Sequence, residues 1–417
     1  MATPHDSTAR RDQRARRGQR DQDGQHSRRD RGPAGSRSSL RSANTVLVVE
    51  ALRAAGPSSQ AAVARATGLS PATVNSIVRA LAEEGVVDIR PVNGRQSEVS
   101  LVTTEGLVLS LEIADGSIHG AAFSLADRTR TDLTSAASDP RSLNALVKDF
   151  LAAAPAGGDP VGIALAVQSP IDRGTGQIPA WVGERIPRWR GVRIGEDLPL
   201  PPDAVLVVDN DANLAALAEW TWGSGRGQED YFYIKASEGV GGGLVVEGRV
   251  FHGGNGMAGV IGHMVVDPDG DVCYCGSRGC LTTKVSQAAL VESLAAWHTD
   301  LTTLRDIVEG GERGDPACTL VLAEAGRHLG RAAAGAVRLV APGAVTIGGI
   351  LGASSVVQEA VRNSPEVANL AIVAPQTAFV PASIGQDAAI LGGLAAVLDR
   401  LGVGMSELPD WVPATSV

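Results

Sequence analysis

The chain has 417 residues, of which 44% are hydrophobic, and a net charge of −9 at pH 7. This length exceeds one typical core, so we expect two or three domains. No run of 18 apolar residues occurs and the N-terminus is polar and Arg-rich, so we expect a cytoplasmic protein with neither a membrane span nor a secretory signal.

Residues 1–42 are predicted to be a disordered, Arg-rich tail. The first 41 residues hold 11 arginines and five aspartates but almost no large apolar side chains. Such a segment buries too little surface to offset its ordering entropy. The tail is either a phosphate-binding arm with salt-sensitive contacts to DNA or a solvated extension, which includes the case of a start codon assigned too far upstream.

Residues 43–101 have the pattern of a winged helix-turn-helix module. A first helix is predicted from Asn44 to the residue before Gly56-Pro57. Helical spacing gives its expected inward positions as Leu47, Ala51, Leu52 and Ala55.

A second helix follows within this module. It is predicted to begin at a cap on Ser58 or Ser59 and to run through Thr67. Its inward residues are expected to be Val63 and Ala66. Gly68 then supplies the tight turn that leads to the third helix.

The third helix is predicted to present a face to the major groove of DNA. Ser70 caps it and Pro71 occupies its first turn. A buried stripe with helical spacing is formed by Val74, Ile77, Val78 and Leu81. The outward residues are small, polar or cationic, which permits close approach and base contacts; they are Ala72, Thr73, Asn75, Ser76 and Arg79.

A hairpin completes the module. Val86–Pro91 and Glu98–Val102 flank Asn93-Gly94, a strong turn signal, and Arg95 lies at the predicted tip. An Arg at a wing tip can enter the minor groove or bind phosphate. The predicted DNA contacts are therefore Ser70, Ala72, Thr73, Asn75, Ser76, Arg79, Asn93 and Arg95. A three-helix interaction module that binds no DNA is the alternative.

Residues 104–401 are predicted to form one α/β domain, followed by a C-terminal tail at 402–417. Apolar strands alternate with helical stretches, which favours this fold class. The predicted strands are Leu107–Ile113, His119–Ser124, Val161–Val167, Ala204–Val208, Tyr231–Ala236, Gly243–Val246 and Val345–Ile347.

Three motifs in this domain together carry a family resemblance. They are the Asn-Asp-Ala element at 210–212, the glycine-rich series from Gly239 to His263, and the Cys-rich stretch 273–280. With them the chain resembles the ROK family of sugar kinases and sugar-responsive repressors, over nearly all of 43–401. The resemblance implies a two-lobed, actin-like (ribonuclease H-like) sugar kinase fold behind the winged helix-turn-helix.

A structural zinc site is predicted within the Cys-rich region. Three cysteines lie within eight residues and a histidine precedes them by ten; the four candidate ligands are His263, Cys273, Cys275 and Cys280. Thiolates with one imidazole suit tetrahedral Zn²⁺, and four protein ligands leave no open position for catalysis. Unliganded structural cysteines are the alternative, and Cys318 is expected to be a core residue.

The phosphate-binding loops of the family's kinases are altered in this chain. Their Asp-x-Gly-Gly-Thr-Lys-like loop corresponds to residues 112–117, where Asp115 places a negative charge and Ser117 replaces the Lys. Glu238 stands where the second loop has a small hydroxyl residue. Asp211 matches the kinases' catalytic base, but a lone carboxylate without a phosphate cradle transfers nothing. We therefore expect no enzyme activity and no catalytic residue.

The resemblance also places a sugar pocket. Asn210, Asp211 and His263 match the family's sugar-binding residues, whereas Val260 and Thr282 replace two of its glutamates. Asp211 either contacts a sugar hydroxyl or caps the following helix. The ligand could be a modified sugar, a sugar phosphate or an oligosaccharide that contacts further residues of the loop before Asn210. These candidate contacts are Trp181, Arg185, Arg188 and Trp189. Core packing is the alternative for the Trp residues.

The leading hypothesis is a homodimeric or homotetrameric DNA-binding regulator, most simply a repressor of carbohydrate-related genes, whose inactive kinase-like domain senses a sugar or sugar derivative. Its partners would be a double-stranded operator and this effector, with no membrane. The alternatives are a sugar kinase with an appended DNA-binding domain and a ligand-independent DNA binder with a vestigial pocket.

Overall fold

The computed structural model describes residues 44–403, except for positions 46, 50, 53–54, 84–85, 94–95, 102–104, 115, 127–128, 137–138, 155–158, 183–185, 197 and 199. The predicted tail at 1–42 and nearly all of the tail at 402–417 lie outside the described residues. Within the described part, no helix combines the length and the apolar character needed to cross a membrane.

The N-terminal module contains three helices and a small sheet. Its helices are α1, whose described residues lie between 44 and 55, α2 (Gln60–Thr67) and α3 (Pro71–Glu83). Its antiparallel strands, in the spatial order β1-β3-β2, are β1 (Ser58–Ser59), β2 (Val87–Asn93) and β3 (Gln96–Leu101). Ser59 caps α2 by accepting a hydrogen bond from the Ala62 amide, and Gly68 ends it in the left-handed conformation with φ 69°.

The predicted inward faces of α1 and α2 are each partly wrong. In α1, Leu47 and Ala55 are exposed, whereas Val48 and Leu52 are buried, because the side of the helix that carries Val48, Val49 and Leu52 packs against α2 and α3 in the core of the module. In α2, Val63 is buried as predicted, but its inward neighbour is Ala64 and Ala66 is exposed. Helix α3 buries the stripe that the sequence predicts.

Two five-stranded sheets form the large domain. The first has the order β6-β5-β4-β7-β8, and the second has the order β11-β10-β9-β12-β13. The first sheet comprises β4 (Leu107–Ala114), β5 (Ser117–Ser124), β6 (Thr129–Ser135), β7 (Pro160–Val167) and β8 (Val205–Asn210). The second comprises β9 (Tyr231–Ala236), β10 (Val240–Val246), β11 (Arg249–Val250), β12 (Ala344–Gly348) and β13 (Ala378–Pro381). The seven predicted strands are all present; β6, β11 and β13 were not predicted.

Helices surround and separate the sheets. In chain order they are α4 (Leu143–Ala153), α5 (Asp211–Trp222), α6 (Thr282–Val285), α7 (Gln287–Leu294), α8 (Leu304–Glu312), α9 (Pro316–Val340), α10 (Gly349–Gly352), α11 (Ser355–Arg362), α12 (Pro365–Ala368), α13 (Leu370–Val373) and α14 (Ala388–Arg400). Helices α5 and α14 pack together in a core that also contains Val108 of the first sheet and Tyr233 of the second. This shared core joins the two lobes.

The strand ends define where a ligand can enter. β4, β7 and β8 run parallel to one another in the first sheet, and β9 runs parallel to β12 in the second. Gln168, Asp211 and Ser237 directly follow β7, β8 and β9, and all three line one pocket. Ligands in open α/β sheets bind at the carboxyl ends of such strands, so this pocket is the candidate ligand site.

Candidate functional sites

Helix α3 exposes four of the five residues that the sequence predicts to face outward. Ala72, Asn75, Ser76 and Arg79 are exposed, while Thr73 is half-buried. The exposed Ser70 accepts a hydrogen bond from the Thr73 amide at 3.1 Å, which fixes the start of the helix. The outward face is therefore small and polar at its N-terminal end and cationic near its middle.

The predicted wing is a two-stranded hairpin. β2 and β3 pair antiparallel, with Asn93 opposite Gln96. Arg95 lies outside the described residues. The sequence analysis did not single out Arg90 of β2, which is exposed and forms an ion pair with Asp88 at 2.7 Å. It is thus a second cation on the hairpin, one partly neutralised by its neighbour.

Asn210 and Asp211 stand where β8 passes into α5, at the edge of the pocket. Oδ1 of Asn210 accepts hydrogen bonds from the amides of Ala212 and Asn213, so Asn210 is the helix cap. Oδ1 of Asp211 accepts from the Ala212 amide at 2.9 Å and from the Asn210 side-chain amide at 3.0 Å. One oxygen of Asp211 is therefore committed to the start of α5, but the helix cap is Asn210, so the alternative in which Asp211 caps the helix is wrong.

The other oxygen of Asp211 meets Lys235. Nζ of Lys235 donates to Oδ2 of Asp211 at 2.7 Å and also to Oε1 of Glu112. All three side chains are about nine-tenths buried. Burial by itself would lower the pKa of Lys235, but Asp211 and Glu112 outweigh it and hold that pKa above its ordinary value. Lys235 is therefore a permanent cation within the pocket.

Sequence reasoning missed Lys235. The sequence feature that could have indicated it is an isolated Lys inside the apolar strand Tyr231–Ala236, in a chain with only three lysines. A buried ammonium requires a carboxylate partner. The identity of those partners depends on the meeting of β4, β8 and β9, which are far apart along the sequence.

Glu238 and Gln168 form the next part of the pocket wall. The Gln168 side-chain amide lies 3.5 Å from Oε2 of Glu238 and 3.4 Å from Oε1 of Glu112. One weak donor thus serves two carboxylates. Val260 and Thr282 also line the pocket, Thr282 being 9% exposed. The two positions at which the resemblance predicts replaced glutamates therefore face the same cavity without a charge.

Aromatic side chains flank His263 at the mouth of the pocket. Trp181, 40% exposed, packs edge-on against the His263 ring at 5.4 Å between centroids, and Tyr274 does so at 5.1 Å. Trp189, in contrast, is 1% exposed and belongs to the core beneath the first sheet. Arg188 is exposed and does not line the pocket, and Arg185 lies outside the described residues.

The four predicted metal ligands converge. One ligand atom from each lies within 4.8 Å of the others. Sγ of Cys273 is 3.5 Å from Nδ1 of His263, and Sγ of Cys275 is 3.7 Å from Sγ of Cys280. Around tetrahedral zinc, with bonds of about 2.3 Å to sulfur and about 2.0 Å to nitrogen, the corresponding edges are about 3.5 and about 3.8 Å. The donor set and its spacing fit a metal ion of this kind.

The second ring nitrogen of His263 contacts Tyr274, and the fourth cysteine lies away from the sulfur cluster. Nε2 of His263 lies 3.1 Å from the Tyr274 hydroxyl, which leaves Nδ1 for the sulfur cluster. Such an outer partner fixes the orientation of a ligating imidazole. Cys318 is 1% exposed in the core of the second lobe, as predicted.

Comparison with known proteins identifies both parts of the chain. The ROK family model matches residues 114–400, and a winged helix-turn-helix DNA-binding model matches residues 41–88. A glucokinase of Halalkalibacterium halodurans is 33% identical over 251 residues, which are 56% of this chain and 75% of that protein. The DNA-binding transcriptional dual regulator NagC of Escherichia coli is 27% identical over 328 residues, covering 73% of this chain and 80% of its own.

A solved structure extends the similarity to both domains. The ROK family transcriptional regulator described as a homologue of the E. coli MLC protein has a TM-score of 0.64 at 22% identity and covers 87% of this chain and 97% of its own. These findings confirm the predicted architecture, a winged helix-turn-helix followed by a sugar kinase-like α/β domain. The relatives include both regulators and kinases.

Proposed function

The chain belongs to the ROK family, and on that basis we propose that it is a DNA-binding transcriptional repressor of carbohydrate-related genes that senses a sugar or sugar derivative. One observation carries the proposal: a winged helix-turn-helix is joined to a kinase-like domain in which Lys235 engages the carboxylate that matches the kinases' base. DNA binding is the output, and the pocket is the sensor.

The reading element is helix α3. Its outward face from Ala72 to Arg79 would enter the major groove, where such helices contact base edges. The Asn75 side chain suits adenine and the Arg79 guanidinium suits guanine. Arg95 and Asn93 of the hairpin would add wing contacts, and the Arg-rich tail before residue 42 would add contacts to phosphate that are independent of sequence.

We propose that the kinase-like domain transfers no phosphate. A base must accept a proton from the attacking hydroxyl, but Asp211 already accepts from Lys235 at 2.7 Å and from the start of its own helix. Glu238 adds a carboxylate beside the glycine-rich strand where phosphate would lie. Because each feature acts independently, restoring one would not restore transfer.

We propose a structural zinc ion at the sulfur cluster. Three thiolates and Nδ1 of His263 would hold it, since the four donor atoms lie within 4.8 Å of one another and the Cys273–His263 and Cys275–Cys280 distances match tetrahedral edges. The ion would fix the loop around residues 273–280 and, through His263, one wall of the pocket. With all four positions taken by the protein, it would supply no catalytic chemistry.

The regulator would act as a homodimer or homotetramer, because paired winged helices read two half-sites. An effector in the pocket would contact groups from both lobes, such as Asn210 of the first and Ser237 of the second. Different affinities for two lobe arrangements would then change the spacing of the DNA-reading helices.

The test combines DNA selection with an activity assay on the purified full chain. Selection from a random duplex pool is expected to enrich one inverted-repeat motif, and this motif should recur upstream of carbohydrate genes. A coupled ADP-release assay over a panel of sugars is expected to remain at the background rate. Failure to enrich any sequence would contradict the regulator proposal, and sugar-dependent ADP release would favour the kinase with an appended DNA-binding domain.

A further inference from the structure

The cationic charge in the pocket is already neutralised by protein groups. Lys235 is the only lysine or arginine among the described residues that line it. Two of its three N–H donors are used by Glu112 and Asp211. One positive charge therefore faces two negative ones, and the cluster as a whole has a net charge of −1.

Glu238 adds a second negative charge to the same cavity. It lies in the turn between β9 and β10, and within the described chain no Lys, Arg or His side chain lies within ion-pair distance of it. The neutral side-chain amide of Gln168 donates a long hydrogen bond to Oε2 of Glu238, at 3.5 Å. A zinc ion on three thiolates would leave its own site at −1, so the sulfur cluster would not offset this charge.

The glycine-rich strand is explained by packing instead of by anion binding. A Cβ at Gly243 would come within 2.3 Å of the Ala212 carbonyl oxygen, and one at Gly259 within 2.0 Å of the Gly242 carbonyl oxygen. The Gly242 amide donates to the Gly259 carbonyl at 2.8 Å. These glycines allow β10 to lie against α5 and the 259–262 turn, and the Gly242 N–H is not available to a phosphate.

We propose that the pocket accepts an unphosphorylated sugar and that Glu238 is the specificity-determining residue that excludes sugar phosphates. The inference rests on the proposed function, since it assumes that the pocket is the effector site. A hydroxyl oxygen of a neutral sugar can accept a hydrogen bond from the third N–H of Lys235, and the sugar ring can pack against Trp181 at the mouth of the pocket. A phosphate ester brings about −1.5 to −2 charges at pH 7. Among the described residues, Asp211, Lys235 and Glu238 of the lining, together with Glu112 that Lys235 also contacts, already carry a net charge of −2.

The experiment uses matched pairs of probes on the full chain: glucose and glucose 6-phosphate, and N-acetylglucosamine and N-acetylglucosamine 6-phosphate. Binding is measured by calorimetric titration and by release of the selected DNA. For the wild type we expect at least one free sugar to bind and its ester to bind at least tenfold more weakly. In Glu238→Gln, this ratio should fall at least threefold, because the carboxylate is replaced by an amide of the same shape.

Glu229→Gln is the matched control, since Glu229 is exposed and does not line the pocket, and it should leave the ratio unchanged. The inference is overturned if an ester binds as tightly as its free sugar, if Glu238→Gln keeps the full ratio, or if no free sugar binds. DNA binding without ligand is recorded in the same samples. If the chain binds DNA and any of the three overturning results is obtained, only the inference about Glu238 is rejected. If the chain does not bind DNA, the proposed function is rejected.

Discussion

Lys235 on the second sheet donates a 2.7 Å hydrogen bond to Asp211, which begins the helix that follows the first sheet. The same ammonium reaches Glu112, near the carboxyl end of β4, the central strand of the first sheet. One side chain therefore links the two lobes and binds Asp211, the carboxylate that we propose corresponds to the base of the family's kinases.

Replacing Lys235 tests this link. Lys235→Met leaves two largely buried carboxylates without a counterion, so the free energy of unfolding should fall by about 3–5 kcal/mol. The raised pKa of Lys235 means that its stabilisation is fully present below the ordinary lysine pKa of about 10.4 and is lost only above it. In urea unfolding, the difference in free energy of unfolding between the wild type and Lys235→Met should therefore be constant from pH 6 to pH 9.

The control for this substitution is Lys148→Met, because Lys148 is exposed on α4. It should change stability by less than about 0.5 kcal/mol. Equal stabilities of Lys235→Met and the wild type would mean that the link contributes nothing to the fold.

Metal content tests the sulfur cluster. Protein purified without chelator should contain about one zinc per chain by elemental analysis. Cys280→Ser should lose the metal and lower the melting temperature, since a structural site contributes folding free energy. Cys318→Ser, which alters a core cysteine away from the cluster, should retain the zinc. Metal-free wild-type protein would refute the assignment.

Two substitutions on helix α3 test the reading face. Asn75→Ala and Arg79→Ala should each relax sequence preference at one base pair of the selected site, at a cost of about 1–3 kcal/mol for the preferred base. Quantitative selection on each variant measures this. Arg65→Ala is the comparison, because Arg65 is exposed on α2; it should leave the preferred sequence unchanged. An unaltered motif in both α3 variants would mean that another element reads the bases.

Removing residues 1–41 tests the contribution of the tail. If its arginines bind phosphate, the shortened chain should bind selected and random duplexes more weakly by the same factor. The dependence of affinity on salt concentration should also become less steep. Titrations at several salt concentrations distinguish this outcome from that of a solvated extension. Removing a solvated extension would change neither the affinity for DNA nor its dependence on salt concentration.

Glu219 offers a test of the core between the lobes. Its carboxylate is 0% exposed and accepts hydrogen bonds from the amides of Ser224, Ser383 and Ile384 and from both serine hydroxyls. Glu219→Ala removes the acceptor of these hydrogen bonds from a buried site and should cost about 3 kcal/mol or more in unfolding experiments. Glu229→Ala, at an exposed position, should cost less than about 0.5 kcal/mol. Similar losses of stability in the two variants would show that the hydrogen bonds to Glu219 do not stabilise the fold.

The amino-acid sequence determined the features whose physical cause is local. The cap at Ser70 and the stripe ending at Leu81 define α3, since both follow from the geometry of one helix. The zinc ligands were also predictable, because three of them lie within eight residues and their chemistry restricts the metal. Helix α1 was harder, since several weakly apolar faces compete and only the packing of Val48 against the module decides among them.

Tertiary structure decided the character of the pocket. Glu112, Asp211 and Lys235 are separated by up to 123 residues, and they meet only because three strands end at the same place. The path of the loop likewise determines that Trp181 is exposed at the mouth of the pocket and that Trp189 is buried in the core. Charge compensation and burial depend on distances in space, which is why the sequence predicted a pocket here and the fold determined its charge.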